Sequence, residues 1–399
     1  MGRRARRRLL GVALGGALAG SGAAPALAAD AIHLEVVAPA PGAPPQRAAP
    51  WLEVRGWAAA GPAGDQDLVV VVDLSGSTHE PSGVDVDGDG TLGVARRFHD
   101  GSSDPGDSVR AAELVAARRL AEGLDLARTR IAILVFADNA YTLCPLTQRR
   151  EELDERLGEL EDEWRGEAGA TDLAKALRWA GRILAEGAAS APGPRRRDVV
   201  LLSDGEPTAP GSPAEARAEA RAAAGELARQ GVRVHAFALG AQSNEALETY
   251  AALAARTGGG SVRLATPGDV VHHLPQLDLA GVAGVEVANA TSGTPSRVTH
   301  RGADGSFEAF VPLVPGENRI RVVARGREGG ETVLERTATY APAPPRDAAE
   351  ADALRSEREA LLTRLAQRSA QLELLLEMKR TREAEQRREL EVEAERRTP

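Results

Sequence analysis

The sequence is poor in several kinds of residue, and each scarcity excludes a class of protein. Its 399 residues include one cysteine, Cys144, which rules out an internal disulfide framework and any zinc or iron–sulfur site built from cysteines. Aromatic residues make up 3%, too few for base-stacking or sugar-binding platforms. The net charge is −9 and the body of the chain has no basic block, so we expect no nucleic-acid ligand. The 43% of hydrophobic residues suffices for two or three globular domains.

Residues 1–28 have the features of an export signal. Several arginines precede a short apolar run from Leu9 to about Ala19, and Ala26-Leu27-Ala28 fits a cleavage site before Ala29. An uncleaved membrane anchor is the alternative, but the run is short and rich in glycine. No later stretch is apolar enough to span a membrane. We therefore predict an exported protein, periplasmic or secreted to the cell surface, whose mature chain has no transmembrane segment.

Residues 67–279 alternate between continuous apolar runs and amphipathic helical patterns. The apolar runs are typical of strands buried on both faces, and they are Leu68–Leu74, Arg130–Phe136, Asp198–Ser203 and Val232–Leu239. Helical patterns occupy residues 107–126, 148–164, 172–187, 213–230, 244–257 and 269–277. This alternation predicts an α/β domain with a doubly wound, mostly parallel sheet.

Short alternating strands flank this domain on both sides. Residues 29–66 contain two strand-like runs, and residues 280–340 contain five more. Because two strands alone are marginally stable, we predict that all of them form one Ig-like β-sandwich into which the α/β domain is inserted. Two independent small β pieces are the alternative.

The end of the chain has a different composition. A proline-rich linker at residues 341–346 leads to residues 347–397, which lack glycine and proline. Positions at alternating steps of four and three predict a long helix with a short coiled-coil seam. Arginine occupies two of these positions, 358 and 368, and leucine the others: Leu354, Leu361, Leu365, Leu372 and Leu375. We expect this helix to dock or to form a homo-oligomer, and a solvated single helix is the alternative.

Oxygen-bearing side chains occur at the carboxyl ends of the predicted parallel strands, where such sheets bind ligands. Asp73, Ser75 and Ser77 follow the first apolar strand, Thr171 precedes a helix, and Asp204 follows the strand at 198–203. Carboxylates and hydroxyls without a thiolate or clustered imidazole suit a hard cation, Mg²⁺ or Mn²⁺.

The same five residues carry a resemblance to the von Willebrand factor A family. The family's metal-ion-dependent adhesion site has the pattern Asp-x-Ser-x-Ser, then a Thr before a helix and an Asp after a later strand, and every position matches. The resemblance implies that Ser75, Ser77 and Thr171 supply hydroxyls, and that Asp73 and Asp204 bind the cation directly or through water. It also implies an open coordination position for an Asp or Glu of a partner protein.

An insertion at residues 78–106 contains a second candidate cation site. Asp85, Asp87 and Asp89, followed by Gly90 and Thr91, resemble a calcium loop of the EF-hand or dockerin kind. The twelfth position, which should be a bidentate acid, is Arg96. Completion of the shell would therefore need another acid, and the candidates are Asp100, Asp104 and Asp107. A solvated acidic turn without Ca²⁺ is the alternative.

These features favour a non-enzymatic binding protein. No nucleophile elbow, phosphate loop or dinucleotide fingerprint occurs in the sequence. We expect the chain to bind an acidic side chain of a protein partner through the divalent cation. The alternative is a structural envelope scaffold, in which the metal only stabilises the fold and the C-terminal helix mediates assembly.

Overall fold

The computed structural model describes residues 31–61, 65–96, 101–163, 169–191, 193–240, 243–327 and 329–397. The predicted export signal and Asp100 lie outside these ranges. Within them, no helix combines the length and the apolar character that a membrane crossing requires.

The strands and helices are numbered in chain order. The strands are β1 (Ile32–Ala38), β2 (Trp51–Ala60), β3 (Asp65–Asp73), β4 (Thr129–Phe136), β5 (Ala140–Thr147), β6 (Arg195–Ser203), β7 (Arg233–Leu239), β8 (Ser261–Leu264), β9 (Val282–Asn289), β10 (Thr294–Pro295), β11 (Val298–Arg301), β12 (Ser306–Pro312), β13 (Gly316–Gly326) and β14 (Glu331–Tyr340). The helices are α1 (Val109–Glu122), α2 (Arg150–Glu163), α3 (Leu173–Ser190), α4 (Pro213–Arg229), α5 (Asn244–Thr257), α6 (Val270–His273) and α7 (Ala348–Arg397).

The α/β unit contains a six-stranded sheet in the order β5–β4–β3–β6–β7–β8. All neighbouring strands are parallel except β4 and β5, which are antiparallel. The predicted α/β fold class is therefore confirmed. Strands β5 and β8 were not predicted, because they lie at the sheet edges and lack long apolar runs. The helix predicted over 269–277 is instead α6 between two 3₁₀ turns.

Strand β3 shows why this sheet lies at the centre of the unit. Its residues from Leu68 to Val72 are all fully buried, and successive side chains face opposite sides of the sheet. Val70 and Val72 belong to the core on the side of α1 and α2, whereas Val69 and Val71 belong to the core under α3, α4 and α5. This two-sided burial fixes the strand and therefore the position of the polar residues at its end.

The remaining strands form the predicted β-sandwich. One sheet has the order β1–β2–β12–β11 and the other β10–β9–β13–β14. Because β12 pairs with β2 in antiparallel register, strands from both sides of the α/β unit share a sheet. The sandwich has one more strand than predicted, since the two-residue β10 was not recognised in the sequence.

A single tryptophan fixes the sandwich against the α/β unit. The guanidinium groups of Arg128 and Arg196 lie over the ring of Trp57 of β2, 4.6 and 5.1 Å from its centre. Its indole N–H donates to the carbonyl of Asp304 at 2.9 Å. The Asp304 carboxylate in turn accepts from the Thr129 hydroxyl at 3.0 Å. These contacts lie at the amino ends of the parallel strands, opposite the polar residues at their carboxyl ends.

Helix α7 begins on the outer face of the sandwich. Leu361 and Leu365 are buried against a small core that includes Val298 and Phe310. Two ion pairs flank them, Arg364 with Glu53 at 2.6 Å and Arg368 with Glu308 at 2.6 Å. Part of the predicted coiled-coil seam is thus used within the chain. A coiled-coil partner for the later part of α7 stays a prediction.

Candidate functional site

Strand β3 and the turn after it supply three of the predicted site residues. Asp73 ends the strand fully buried, and its carboxylate accepts from the Ser75 amide at 2.8 Å. Ser75 precedes the 3₁₀ turn Gly76–His79, and its Oγ lies 3.3 Å from the Oγ of Ser77. The backbone turn therefore brings both hydroxyls to the end of the strand beside Asp73.

Two later loops meet this turn at the same edge of the sheet. Thr171 is buried, and the N-cap residue Asp172 follows it at the start of α3. The Thr171 amide donates to the hydroxyl of Thr208 at 2.9 Å, and the Thr208 amide donates back to the Thr171 carbonyl at 3.1 Å. The loop before α3 and the loop after β6 are therefore joined to each other.

Asp204 closes the group. The Ser77 hydroxyl donates to the Asp204 carboxylate at 2.7 Å. A Cβ built on neighbouring Gly205 would lie 3.5 Å from the Ser77 Oγ and 3.6 Å from the Thr171 Oγ1, so these two hydroxyls converge on one point. The structure thus brings all five predicted residues together at one sheet edge. Their role as metal ligands stays a prediction.

This edge contains two carboxylates with raised pKa values. Burial raises the pKa of Asp73, although hydrogen bonds from Ser203 and Ser75 oppose that effect. Burial and the negative charge of Asp73 raise the pKa of Asp204 to about 7. In the ranges that the structure describes, no arginine, lysine or histidine forms an ion pair with either carboxylate. The donor set of carboxylate and hydroxyl oxygens fits a hard divalent cation, which would neutralise both groups.

The comparison with protein families agrees with this geometry. Residues 68–206 match the model of the von Willebrand factor type A domain. The chain contains a von Willebrand factor type A domain. The match includes all five residues at the sheet edge. No curated protein sequence matches the chain significantly.

Solved structures similar to this chain are distant in sequence. The conserved hypothetical protein BatB from Bacteroides thetaiotaomicron is 17% identical over 53% of this chain and 99% of its own, with a TM-score of 0.34. Manganese-loaded TRAP protein from Plasmodium vivax is 13% identical over 74% of this chain and 98% of its own, with a TM-score of 0.37. Proximal thread matrix protein 1 from the mussel byssus, with a zinc-occupied MIDAS motif, is 16% identical over 53% of this chain and 46% of its own, with a TM-score of 0.38.

Three buried residues of the α/β unit support the site but were not predicted from the sequence. The hydroxyl of Ser203 donates to the Asp73 carboxylate, and the Tyr250 hydroxyl lies 2.8 Å from the Ser203 Oγ and 2.6 Å from the Gly205 carbonyl. Glu113 of α1 accepts from the Asp73 amide at 2.9 Å. Ser203 could have been noticed, since it adjoins Asp204. Glu113 is an acid on an otherwise apolar helix face, which was a usable signal, whereas Tyr250 offers none.

The aspartate-rich insertion has an ordered turn in this structure. Carboxylate oxygens of Asp85, Asp87 and Asp89 lie within 4.8 Å of one another, and all three residues are exposed. Asp85 accepts from the amides of Gly88 and Gly90 at 2.7 and 3.0 Å, and Asp89 accepts from the Thr91 amide at 2.7 Å. These bonds explain the shape of the turn. They do not establish a cation site.

The residues around this turn form hydrogen bonds of their own and affect its charge. The Arg96 side chain donates to the Ser103 carbonyl, and Asp107 accepts from the amides of Val86 and Gly93. A hydrogen bond from the Asp89 amide lowers the pKa of Asp87, but partial desolvation and the charges of Asp89, Asp104 and Asp107 outweigh it and raise that pKa. Calcium binding by this turn stays a prediction, and its carboxylates repel one another without a cation.

Proposed function

We propose that this von Willebrand factor type A domain binds a protein partner through Mg²⁺ or Mn²⁺, with an Asp or Glu of the partner completing the metal shell. The observation that supports this function is a buried carboxylate, Asp73, and a half-buried one, Asp204, beside three hydroxyls and without an ion-pair partner among the described residues. Such a pair is costly to bury unless a cation accompanies it.

Each residue of the group has a distinct role in this proposal. Asp73 and Asp204 supply the negative charge, and Ser75, Ser77 and Thr171 supply neutral oxygens. A cation surrounded largely by neutral oxygens retains enough positive charge to attract an external carboxylate. Ser77 is exposed whereas Ser75 and Thr171 are buried, so the site opens to solvent on the side of Ser77.

The proposal also includes the setting of this interaction. We place the protein in the periplasm or at the cell surface, in line with the predicted export signal, and give it a binding rather than a catalytic role. The inserted segment begins directly after Ser77, and we place it beside the entrance of the site because the charge of Glu80 within it raises the pKa of Asp204. Its exposed Leu92 and Val94 provide apolar contact area for the partner.

Two successive experiments, a metal titration and a partner capture, test this function. Calorimetric titration of the mature protein with Mn²⁺ and Mg²⁺ should show one saturable site, and Thr171→Ala should weaken it by about tenfold or more. The matched control is Thr129→Ala, a buried threonine at the opposite end of the sheet. This control should lower stability but leave metal affinity unchanged.

A pull-down from an envelope extract then separates the two functional hypotheses. A partner retained by wild type in Mg²⁺, and lost both in EDTA and with Thr171→Ala, supports the adhesion-type function. Equal retention under all three conditions contradicts it and favours the scaffold, in which α7 or the sandwich makes the contact.

A further inference from the structure

Glu113 is a buried acid with an unusual surrounding. It lies in the second turn of α1, is fully buried, and is flanked on its helix by buried apolar residues such as Ala112 and Leu114. Its Oε2 accepts from the Asp73 backbone amide at 2.9 Å, which places the carboxylate directly behind the end of β3. Its Oε1 is buried and has no hydrogen-bond partner in the described part of the chain.

A buried carboxylate oxygen without a hydrogen-bond partner destabilises the fold, and a purely structural role does not require one. Leaving a buried polar atom unsatisfied costs about 1–3 kcal/mol, and more when the group is charged. A glutamine at this position could accept from the Asp73 amide equally well and would carry no charge. The conformation of β3 therefore does not explain why an acid occupies this position.

The position of Glu113 relative to the other carboxylates offers an explanation. Glu113 contacts the residue that bears the Asp73 carboxylate, and Asp73 is linked through Ser75 and Ser77 to Asp204. Three acids thus surround one sheet edge, and in the described ranges none of them has an arginine or lysine partner. Like charges at one edge of a sheet repel one another unless a cation lies among them.

We propose that Glu113 is a positioning residue of the metal site, which holds the end of β3 and adds a third negative charge that strengthens cation binding. Its unpartnered oxygen is an acceptor for a water of the cation's hydration shell. This inference rests on the proposed function, because it concerns the same cation. It adds that the electrostatic site includes a helix residue outside the five-residue motif.

The inference predicts effects of opposite sign with and without metal. Glu113→Gln keeps the shape and the acceptor for the Asp73 amide but removes the charge. Without metal, removing one of three repelling acids should leave the melting temperature unchanged or raise it by about 2 °C. With metal, the loss of charge and of the water acceptor should weaken Mn²⁺ binding by about 10- to 100-fold. A merely structural glutamate would leave Mn²⁺ affinity unchanged on substitution by glutamine.

The experiment measures Mn²⁺ affinity by calorimetry, the Mn²⁺ electron paramagnetic resonance spectrum, and melting in EDTA. It compares wild type, Glu113→Gln, Glu113→Asp and the exposed Glu122→Gln on the same helix. Glu113→Asp keeps the charge and should bind Mn²⁺ more tightly than Glu113→Gln, whereas Glu122→Gln should match wild type. Unchanged Mn²⁺ affinity in Glu113→Gln, or its unfolding in EDTA, overturns the inference. Absence of Mn²⁺ binding by wild type instead overturns the proposed function.

Discussion

Each end of strand β3 contains a buried aspartate, and the two carboxylates differ in whether arginines pair with them. Asp67, near the start, and Asp73, at the end, are both fully buried. Arg130 donates to Asp67 through two nitrogens at 2.7 Å, and Arg195 contacts it at 2.8 Å. Asp73 receives hydrogen bonds from Ser75 and Ser203 but has no arginine or lysine among its described neighbours. One strand thus contains a neutralised acid and an unneutralised one.

The contrast extends across both edges of the sheet. At the amino ends, Asp198 pairs with Arg233 at 2.8 Å, and Asp278 pairs with Arg301 at 2.9 Å. At the carboxyl ends, Asp204 and Glu113, like Asp73, have no ion-pair partner within the part of the chain that the structure describes. Arginine side chains therefore neutralise the buried acids at the end of the sheet where the α/β unit joins the sandwich. Where the metal site is proposed, no arginine or lysine of the described ranges pairs with the acids.

Replacing the aspartate by asparagine at each end of β3 should give the largest difference in unfolding free energy between the two ends. Asp67→Asn leaves two arginines without their buried partner, and removing one member of such a cluster costs about 3–5 kcal/mol of unfolding free energy. Asp73→Asn in EDTA removes a repelling charge and should stay within about 1 kcal/mol of wild type. Urea denaturation of both variants measures the difference. Equal destabilisation would show that the two ends are electrostatically alike.

Acid titration should reveal the neutralised end separately. Burial alone would raise the pKa of Asp198, but Arg233 and His235 outweigh burial and lower it to about 2. Because this pKa lies below the unfolded value, Asp198 stabilises the fold above pH about 4, and this contribution of about 2 kcal/mol is lost as the pH falls towards 2. The stability difference between wild type and Asp198→Asn should shrink over that range in EDTA. The exposed Asp154→Asn serves as the control, and a difference independent of pH would contradict this assignment.

A smaller effect is expected from the hydroxyl behind the site. Tyr250→Phe removes the hydrogen bonds to Ser203 and Gly205 while it keeps the buried ring. Because Ser203 orients the Asp73 carboxylate, we expect Mn²⁺ affinity to fall about tenfold with little loss of stability in EDTA. Calorimetry and thermal melting distinguish the two effects. A large loss of stability without a change in affinity would assign Tyr250 to the core alone.

The exposed acids of the insertion should show the smallest effect. Asp85, Asp87 and Asp89 are exposed, so a cation would relieve little burial cost there. If the turn binds Ca²⁺ as predicted, millimolar Ca²⁺ should raise the melting temperature of Thr171→Ala by about 2 °C, and the further change Asp87→Asn should abolish that rise. No rise with Ca²⁺ in the Thr171→Ala background would leave the turn a solvated acidic loop.

Sequence reasoning found all five motif residues, three of them through local spacing, and Thr171 and Asp204 through the predicted strand ends and the family resemblance. Asp73, Ser75 and Ser77 lie within one turn after an apolar strand, so the strand period and the motif give their positions. Glu113 and Tyr250 lie 40 and 47 residues from the groups they contact, and only the packed fold brings them together. The docking of α7 was equally ambiguous, because the spacing of Leu361 and Leu365 suits a helical partner as well as the chain's own sandwich.

The insertion of the α/β unit into the sandwich has a mechanical consequence. β1 and β2 pair with each other, β2 pairs with β12, and α7 rests on the same sheet. Tension applied between residue 31 and the far end of α7 therefore runs through the sandwich and bypasses the α/β unit. A pull on the edge that contains the proposed metal site instead reaches the sandwich through contacts at the opposite end of the sheet, which include those of Trp57 with Arg128 and Arg196. Strain along the chain would therefore not reach the proposed site. A force from a partner would instead act on the contacts of Trp57 with Arg128 and Arg196.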